Sequence, residues 1–195
     1  NLGVASARNA GINVSKYKYL AFLDADDIWL FDKNEKQYDW MAQNPNVFIT
    51  GCQYPASGNR KFKKNHIKSE LTVVKVSLFS QLISNRFSTP TVMCKNKPKI
   101  SFKEGKRYSE DYLLWLELIF DKNLAFEIKD PLIEFTKFPY GEGGLSGDLL
   151  AMEKGELDTY KQVFAQGRIH MPAYVILCMY SYVKYIRRII VCFLR

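Results

Sequence analysis

A short apolar segment that ends at a group of aspartates constrains the fold of this 195-residue chain more than any other feature. Residues 17–23 read Tyr-Lys-Tyr-Leu-Ala-Phe-Leu, a nearly continuous apolar run of the kind that forms a buried strand of a parallel sheet. Asp24, Asp26 and Asp27 follow directly. Because ligands of open parallel sheets bind beyond the carboxyl ends of the strands, we expect this strand to end at a binding site.

Helix-like and strand-like segments alternate along the chain, which predicts an α/β fold with a mostly parallel sheet flanked by helices. The expected helices span residues 4–14, 32–43, 71–84, 110–121 and 149–166. The expected strands span residues 17–23, 47–51, 90–94, 124–128 and 132–138, with loops at 52–70 and 140–147.

The aspartates after the first strand favour a cation site. Three carboxylates within four positions repel one another, so a bound cation would relieve the cost of placing them together. Side chains alternate along an extended segment, and Asp24 and Asp26 can therefore face the same site. Mg²⁺ is typically held by one or two carboxylates together with substrate phosphates. The alternative is an exposed turn in which Asp27 begins a short helix.

A second acidic pair opens the predicted helix at 110–121. Ser109 is the expected N-cap, and Glu110 and Asp111 occupy the first turn. A carboxylate next to a diphosphate site can act as a general base toward a hydroxyl. Trp115 lies one turn further along and can stack on a sugar ring or, alternatively, belong to the core. A capped helix with an acidic first turn is itself a sufficient structural explanation.

Composition excludes several classes of function. Only two histidines and four widely spaced cysteines are present, so a zinc site, a disulfide framework and most histidine-based catalysis are not expected. The net charge is +8, and residues 60–68 contain five of the basic side chains. That run has a single aromatic residue, Phe62, and is predicted to be a solvated loop and not a nucleic-acid site.

The C-terminal segment at 171–194 is predicted to be an amphipathic helix. Its longest uncharged stretch is too short to cross a bilayer, which requires roughly 20 apolar residues. Ser181, Lys184 and Arg188 fall on one face with Arg187 beside them. We expect the helix to lie at a membrane interface with its cations toward anionic headgroups. The alternative is a helix packed on the protein with its basic side chains directed outward.

Three motifs together resemble family 2 glycosyltransferases of the GT-A fold. They are the helix Ala-Ser-Ala-Arg8-Asn9-Ala-Gly11-Ile, the strand end Asp24-Ala-Asp26-Asp27, and Ser-Glu110-Asp111 before a Leu/Trp-rich helix. Their order and separations match the family as well as the residues do. The resemblance divides the chain into a partial GT-A domain at 1–147 and a helical C-terminal extension at 148–195, for which membrane association is an expectation.

The resemblance implies an inverting transferase that moves a sugar from a nucleotide-diphosphate donor to an acceptor hydroxyl on a saccharide or lipid-linked molecule. It implies a cytoplasmic protein at the inner face of the plasma membrane, engaged in bacterial surface polysaccharide synthesis, with no nucleic-acid partner. The implied site residues are Asp26 and Asp24 for Mn²⁺ or Mg²⁺, Arg8, Asn9 and Asp24 for the donor, Asp111 with Glu110 for catalysis, and Trp115 and Ser146 on the acceptor side.

The family's domain normally begins with two further βα units, roughly 60 residues in all, so the chain is expected to be an N-terminally truncated fragment. Two rival interpretations remain. A phosphatase of the haloacid dehalogenase type also places Asp-x-Asp after an apolar strand. A catalytically inactive, basic module that binds membranes or anions would use the acidic residues only to cap helices.

Overall fold

The computed structural model describes residues 3–54, 71–97, 100–134 and 145–194. The helices are α1 (Val4–Val14), α2 (Lys33–Gln43), α3 (Leu78–Ile83), α4 (Glu110–Phe120), α5 (Leu149–Ala165) and α6 (Met171–Phe193). The strands are β1 (Tyr19–Ala21), β2 (Ile28–Trp29), β3 (Val47–Gln53), β4 (Val73–Lys75), β5 (Met93–Lys95), β6 (Leu124–Pro131) and β7 (Ile133–Glu134). Single 3-10 turns occupy Thr89–Thr91 and Leu145–Gly147.

Five strands form one sheet in the order β1-β5-β3-β6-β4, and β2 and β7 form a separate two-stranded ribbon. β1, β3 and β6 run in the same direction, and β5 and β4 run in the opposite one. The predicted α/β class is thus confirmed, with three of five strands parallel in direction. Because β5 lies between β1 and β3, and β4 lies at the edge, the only direct parallel pairing among the described strands is β3 with β6.

Helices cover both faces of this sheet. Side chains alternate across a strand, so neighbouring residues of β5 enter different clusters. Cys94 packs in the same cluster as Trp115 of α4, whereas Met93 packs with Met41 of α2. The helices thereby bury the apolar side chains of both sheet faces.

The α5–α6 pair packs on α4 through a separate apolar cluster. It contains Tyr112 and Leu113 of α4, Tyr160 of α5 and Leu177 of α6. Gly167 ends α5 with a φ of 69°, and Pro172 occupies the first turn of α6. In the described part of the chain, no helix combines the length and the apolar content that crossing a membrane would require.

Three predicted elements differ from the structure. The helix expected at 71–84 is split, because Val73 pairs with Ile128 of β6 and Ser77 then caps the short helix α3. The strand expected at 90–94 begins as a 3-10 turn and continues as β5. The first predicted strand is confirmed only over the three residues of β1. The glycine-containing stretch at 141–144 and the basic run at 60–68 lie outside the described residues.

Candidate active site

Arg8 connects the two acidic motifs. Its Nη2 donates to both carboxylate oxygens of Asp24 at 2.8 and 3.1 Å, and its Nη1 donates to Glu110 Oε1 at 2.7 Å. The guanidinium also lies over the ring of Phe102, 5.2 Å from its centroid. One largely buried cation therefore holds the end of β1 and the start of α4 together.

The start of α4 is held by the backbone around Ser109. Ser109 adopts the left-handed conformation with φ 56°, and its side chain makes no capping hydrogen bond. Ser109 is therefore the N-cap residue of α4, as predicted, but its side chain does not cap the helix. Its carbonyl instead accepts hydrogen bonds from Leu113 N and from the Thr159 hydroxyl of α5. This backbone turn directs the first residues of α4 toward the cavity described below.

Asp111 is positioned by polar groups from three directions. Its Oδ2 accepts hydrogen bonds from Asn85 Nδ2 at 3.3 Å and from Thr89 Oγ1 at 3.2 Å, and its Oδ1 accepts from Tyr112 N at 2.7 Å. Burial raises the pKa of the Asp111 carboxyl, and the hydrogen bonds and the nearby charge of Arg8 offset this only in part. A carboxylate with a raised pKa is a stronger base than an ordinary surface aspartate.

Glu110 belongs to the same site through its hydrogen bond with Arg8. Burial and repulsion from Asp111 raise its pKa, and the hydrogen bond and charge of Arg8 oppose the increase. Its Oε1 is occupied by Arg8. Glu110 therefore anchors Arg8, while Asp111 has the geometry expected of a base.

A cavity of about 610 Å³ brings these residues together. It is lined by Arg8, Asp24, Glu110 and Asp111, and also by Lys184, Arg187 and Arg188 of α6. Ser146 of the Leu145–Gly147 turn belongs to the same lining. A second cavity of about 530 Å³ lies beside α1 and β1, and Arg8 and Asp24 line both. The salt-bridged pair therefore lies where two ligand-sized spaces adjoin.

The two predicted metal ligands, Asp24 and Asp26, differ in their surroundings. Both oxygens of Asp24 are engaged by Arg8, whereas Asp26 is exposed and lines neither cavity. Across the four described ranges, no group of three His, Cys, Asp or Glu side chains is arranged to hold a metal ion. A site of one or two carboxylates completed by substrate phosphates does not need such a group.

Two predicted site residues have structural roles instead. Asn9 is buried, and its side-chain amide makes a reciprocal pair of hydrogen bonds with the Phe102 backbone at 2.9 and 2.7 Å, which leaves it unavailable to a donor. Trp115 has 0% exposure and packs against Phe22 and Phe102. It is therefore a core residue and cannot stack on a sugar ring.

The predicted orientation of the C-terminal helix is wrong. Lys184 forms an ion pair with Glu156 of α5, and Arg188 contacts Glu156 at 3.0 Å and Glu153 at 3.1 Å. These two cations therefore face the protein, neither toward headgroups nor outward to solvent. The opposite face is apolar and exposed, and includes Met179, Val183, Ile186, Ile190 and Phe193. The carboxylates of α5 account for this, because they offer the cations partners within the protein.

Sequence reasoning missed Asn85, Thr89 and Arg107. Asn85 and Thr89 orient Asp111 from the segment before β5, and Arg107 lines the large cavity. Arg107 carried a usable signal, because it lies three residues before Glu110. Asn85 and Thr89 carried none, since only tertiary folding brings them to α4.

The family model described as "Glycosyl transferase family 2" matches residues 1–106. An uncharacterized glycosyltransferase of Methanocaldococcus jannaschii is 29% identical over 167 residues, which cover 82% of this chain and 54% of that protein. The Escherichia coli protein WfgD, a UDP-Glc:alpha-D-GlcNAc-diphosphoundecaprenol beta-1,3-glucosyltransferase, is 30% identical over 124 residues, or 63% of this chain and 47% of WfgD.

The crystal structure of Staphylococcus aureus TarS residues 1–349 superposes with a TM-score of 0.60 at 13% identity, covering 92% of this chain and 50% of that one. This likeness supports the fold alone. The chain thus spans about half the length of these three proteins. Since the family model covers more than half of the 195 residues, this chain belongs to glycosyl transferase family 2.

Proposed function

We propose that this chain forms part of an inverting glycosyltransferase that moves a sugar from a nucleotide-diphosphate donor to an acceptor hydroxyl. The observation that carries the proposal is the position of Asp111 at the start of α4, in one cavity with the Arg8–Asp24 ion pair. Family membership and the motif order agree with it.

Asp111 acts as the general base in this proposal. Asn85 and Thr89 donate to Oδ2 and Tyr112 N donates to Oδ1, so both oxygens of the carboxylate are held. The raised pKa strengthens Asp111 as a proton acceptor. Asp111 removes the acceptor proton as the hydroxyl oxygen attacks the anomeric carbon on the face opposite the departing diphosphate. This single displacement inverts the anomeric centre and requires no covalent enzyme intermediate.

Arg8 and Asp24 organise the donor side. Asp24 lines both cavities and is held by Arg8, so its carboxylate is fixed for contact with the donor's ribose or sugar. Glu110 holds the other side of the guanidinium. In this arrangement Arg8 positions two carboxylates and also supplies positive charge near the donor phosphates.

Asp26 is the residue proposed to hold Mn²⁺ or Mg²⁺, with Asp24 adjacent. Its exposure two positions beyond Asp24 fits a site that is completed by donor phosphates. A bound divalent ion would supply neutralisation of the departing diphosphate. Asp24 as a direct ligand would have to share its oxygens with Arg8.

The proposed setting is bacterial surface polysaccharide synthesis on a saccharide or lipid-linked acceptor, at the cytoplasmic face of the plasma membrane. WfgD, by its name, acts on a diphosphoundecaprenol-linked sugar. The apolar outer face of α6 supports peripheral contact with a membrane surface, now through hydrophobic side chains and not through Lys184 and Arg188.

The test compares Asp111→Asn, Asp26→Ala and Asp121→Asn in the full natural protein, including any sequence that flanks these 195 residues. Asp121 is the matched control, because it lies at the far end of α4 in an exposed ion pair with Arg168. We expect Asp111→Asn to reduce transfer by at least about 100-fold while it still binds donor. Asp26→Ala should lower transfer together with metal-dependent donor binding. Equal transfer by Asp111→Asn and Asp121→Asn would refute the assignment of Asp111 as the base, and no transfer by the unaltered protein would favour the inactive binding module.

A further inference from the structure

We infer that Arg107 and Arg187 form a subsite for a phosphate group carried by the acceptor, which makes the acceptor a phosphate-linked lipid or its soluble analogue. This inference rests on the proposed function and assigns a substrate class to the cavity beside Asp111.

Most charges of the large cavity are already paired. Arg8 is bound by Asp24 and Glu110, and Arg188 and Lys184 are bound by carboxylates of α5. In the described part of the chain, Arg107 and Arg187 are exposed in the same lining without an ion-pair partner. Two uncompensated guanidiniums in one cavity are suited to an anion with several oxygens, because a guanidinium can bind phosphate through two parallel hydrogen bonds.

The position of Arg187 on α6 indicates which molecule carries the phosphate. On one side, its neighbour Arg188 faces the interior and contacts Glu156. On the other side, Val183 and Ile190, one turn away in each direction, are exposed apolar residues. Arg187 therefore lies on the boundary between the polar cavity and the apolar outer face of the helix.

A lipid-linked acceptor carries its polar and apolar groups in the same spatial order. Its sugar would lie beside Asp111, its phosphate between Arg107 and Arg187, and its hydrocarbon chain along the exposed apolar residues of α6. The proposed donor residues Asp24 and Asp26 follow β1, and the second cavity, which Arg107 and Arg187 do not line, extends from Asp24 along α1. The two arginines thus serve the acceptor and not the donor.

The test measures binding of decyl diphosphate, a probe that carries the phosphates and a short chain but no sugar. Calorimetry is performed on the full natural protein without lipid, with chelator present and below the probe's micelle-forming concentration. We expect Arg107→Gln and Arg187→Gln each to weaken binding about tenfold. Lys161→Gln removes an exposed charge from α5 outside the cavity and should leave binding unchanged. Neutral decyl glucoside should bind all variants equally.

Three outcomes would overturn the inference. Unchanged decyl diphosphate binding in both arginine variants would exclude the subsite. Complete displacement of the probe by UDP or GDP would assign the arginines to the donor. Loss of sedimentation with phosphatidylglycerol vesicles, while probe binding in solution stays intact, would assign them to bulk headgroups. Asp111→Asn should bind the probe normally and lose transfer, so failure of the catalytic proposal can be told apart from failure of this one.

Discussion

Arg8 Nη1 lies 2.7 Å from Glu110 Oε1 and so joins α1 to α4 across 102 positions of the sequence. The side chains are 12% and 8% exposed, respectively. The loss of one partner from a charge pair this far from water destabilises the fold, because the remaining charge has neither solvent nor counter-ion. This ion pair is therefore expected to contribute both to stability and to the geometry of the site.

Arg8→Gln is expected to lower the free energy of unfolding by about 3 kcal/mol at pH 7. The loss should shrink in acid, where the raised pKa of Glu110 allows the unpaired carboxyl to take up a proton. Chemical denaturation at pH 7 and pH 4.5 measures both effects.

Arg168→Gln is the control for this substitution. Its ion pair with Asp121 is 37% and 55% exposed, so its loss should cost less than about 1 kcal/mol. The double variant Arg8→Gln/Glu110→Gln should recover a large part of the stability that Arg8→Gln loses. Equal losses for Arg8→Gln and Arg168→Gln would contradict the assignment of Arg8 as a buried connector.

Gly155→Ala is expected to disturb the turn that precedes α4. A Cβ atom at Gly155 would lie 2.5 Å from Tyr108 Cβ and 2.9 Å from the Tyr108 carbonyl oxygen. Since backbone must move to relieve this overlap, the free energy of unfolding should fall by about 1–3 kcal/mol. The displaced turn should also lower transfer, because it positions Asp111. Thermal unfolding and an activity assay measure the two effects.

Gly11→Ala is the matched control for Gly155→Ala. Gly11 also lies within a helix, but a Cβ atom added there would have no neighbouring atom within 4 Å. Alanine there should raise stability by up to about 1 kcal/mol, since it restricts the unfolded chain. A destabilised Gly11→Ala together with a neutral Gly155→Ala would show that the α5 contact with Tyr108 is unimportant.

The buried side chain of Lys33 should make the free energy of unfolding rise with pH in alkaline solution. It is fully buried, donates to Gln37 Oε1 at 2.7 Å and lies 4.2 Å from the Trp29 ring centroid. Burial lowers its pKa to about 8. An unfolded lysine titrates near 10.4, so between these two values the unfolded state binds more protons and stability rises with pH. The rise from this residue should not exceed about 3 kcal/mol.

Lys33→Met should abolish that rise. Relative to the wild-type protein, the variant should be more stable at neutral pH than at alkaline pH, because the wild-type protein keeps a buried charge at neutral pH. The measurement is the difference in unfolding free energy between the two proteins from pH 7 to pH 10.5, which cancels other titrating groups. A difference that does not vary with pH would show that burial does not lower the pKa of Lys33.

The sequence predicted the helices well because their signals are local. The bounds of α1 agree residue for residue with the prediction, and α4 and α5 agree to within one residue at their ends. β4 could not be predicted in the same way. Its three residues form a strand because they pair with β6, more than 50 positions away, and no local pattern reports such a partner.

In the candidate site, too, local motifs were readable from the sequence and long-range contacts were not. Its motifs identified Arg8, Asp24 and Asp111 as neighbours in one site, but the sequence did not show that Arg8 bridges the carboxylates of Asp24 and Glu110. The predicted orientation of α6 was wrong because a helical wheel shows which residues share a face but not what that face packs against. Glu153 and Glu156, three apart on α5, match Lys184 and Arg188, four apart on α6. That complementary spacing was the available signal.

The exposed face of α6 provides the last prediction, which concerns membrane contact. Because Lys184 and Arg188 are bound to α5, association with vesicles should depend on apolar side chains and persist when salt is raised. Ile186→Asp/Ile190→Asp places two charges on that face and should greatly reduce co-sedimentation with phosphatidylglycerol vesicles. Phe79→Asp, which changes an exposed apolar residue of α3, should bind as the unaltered chain does. Sedimentation abolished by high salt but insensitive to the Ile186/Ile190 double change would instead indicate a purely electrostatic contact through Arg187.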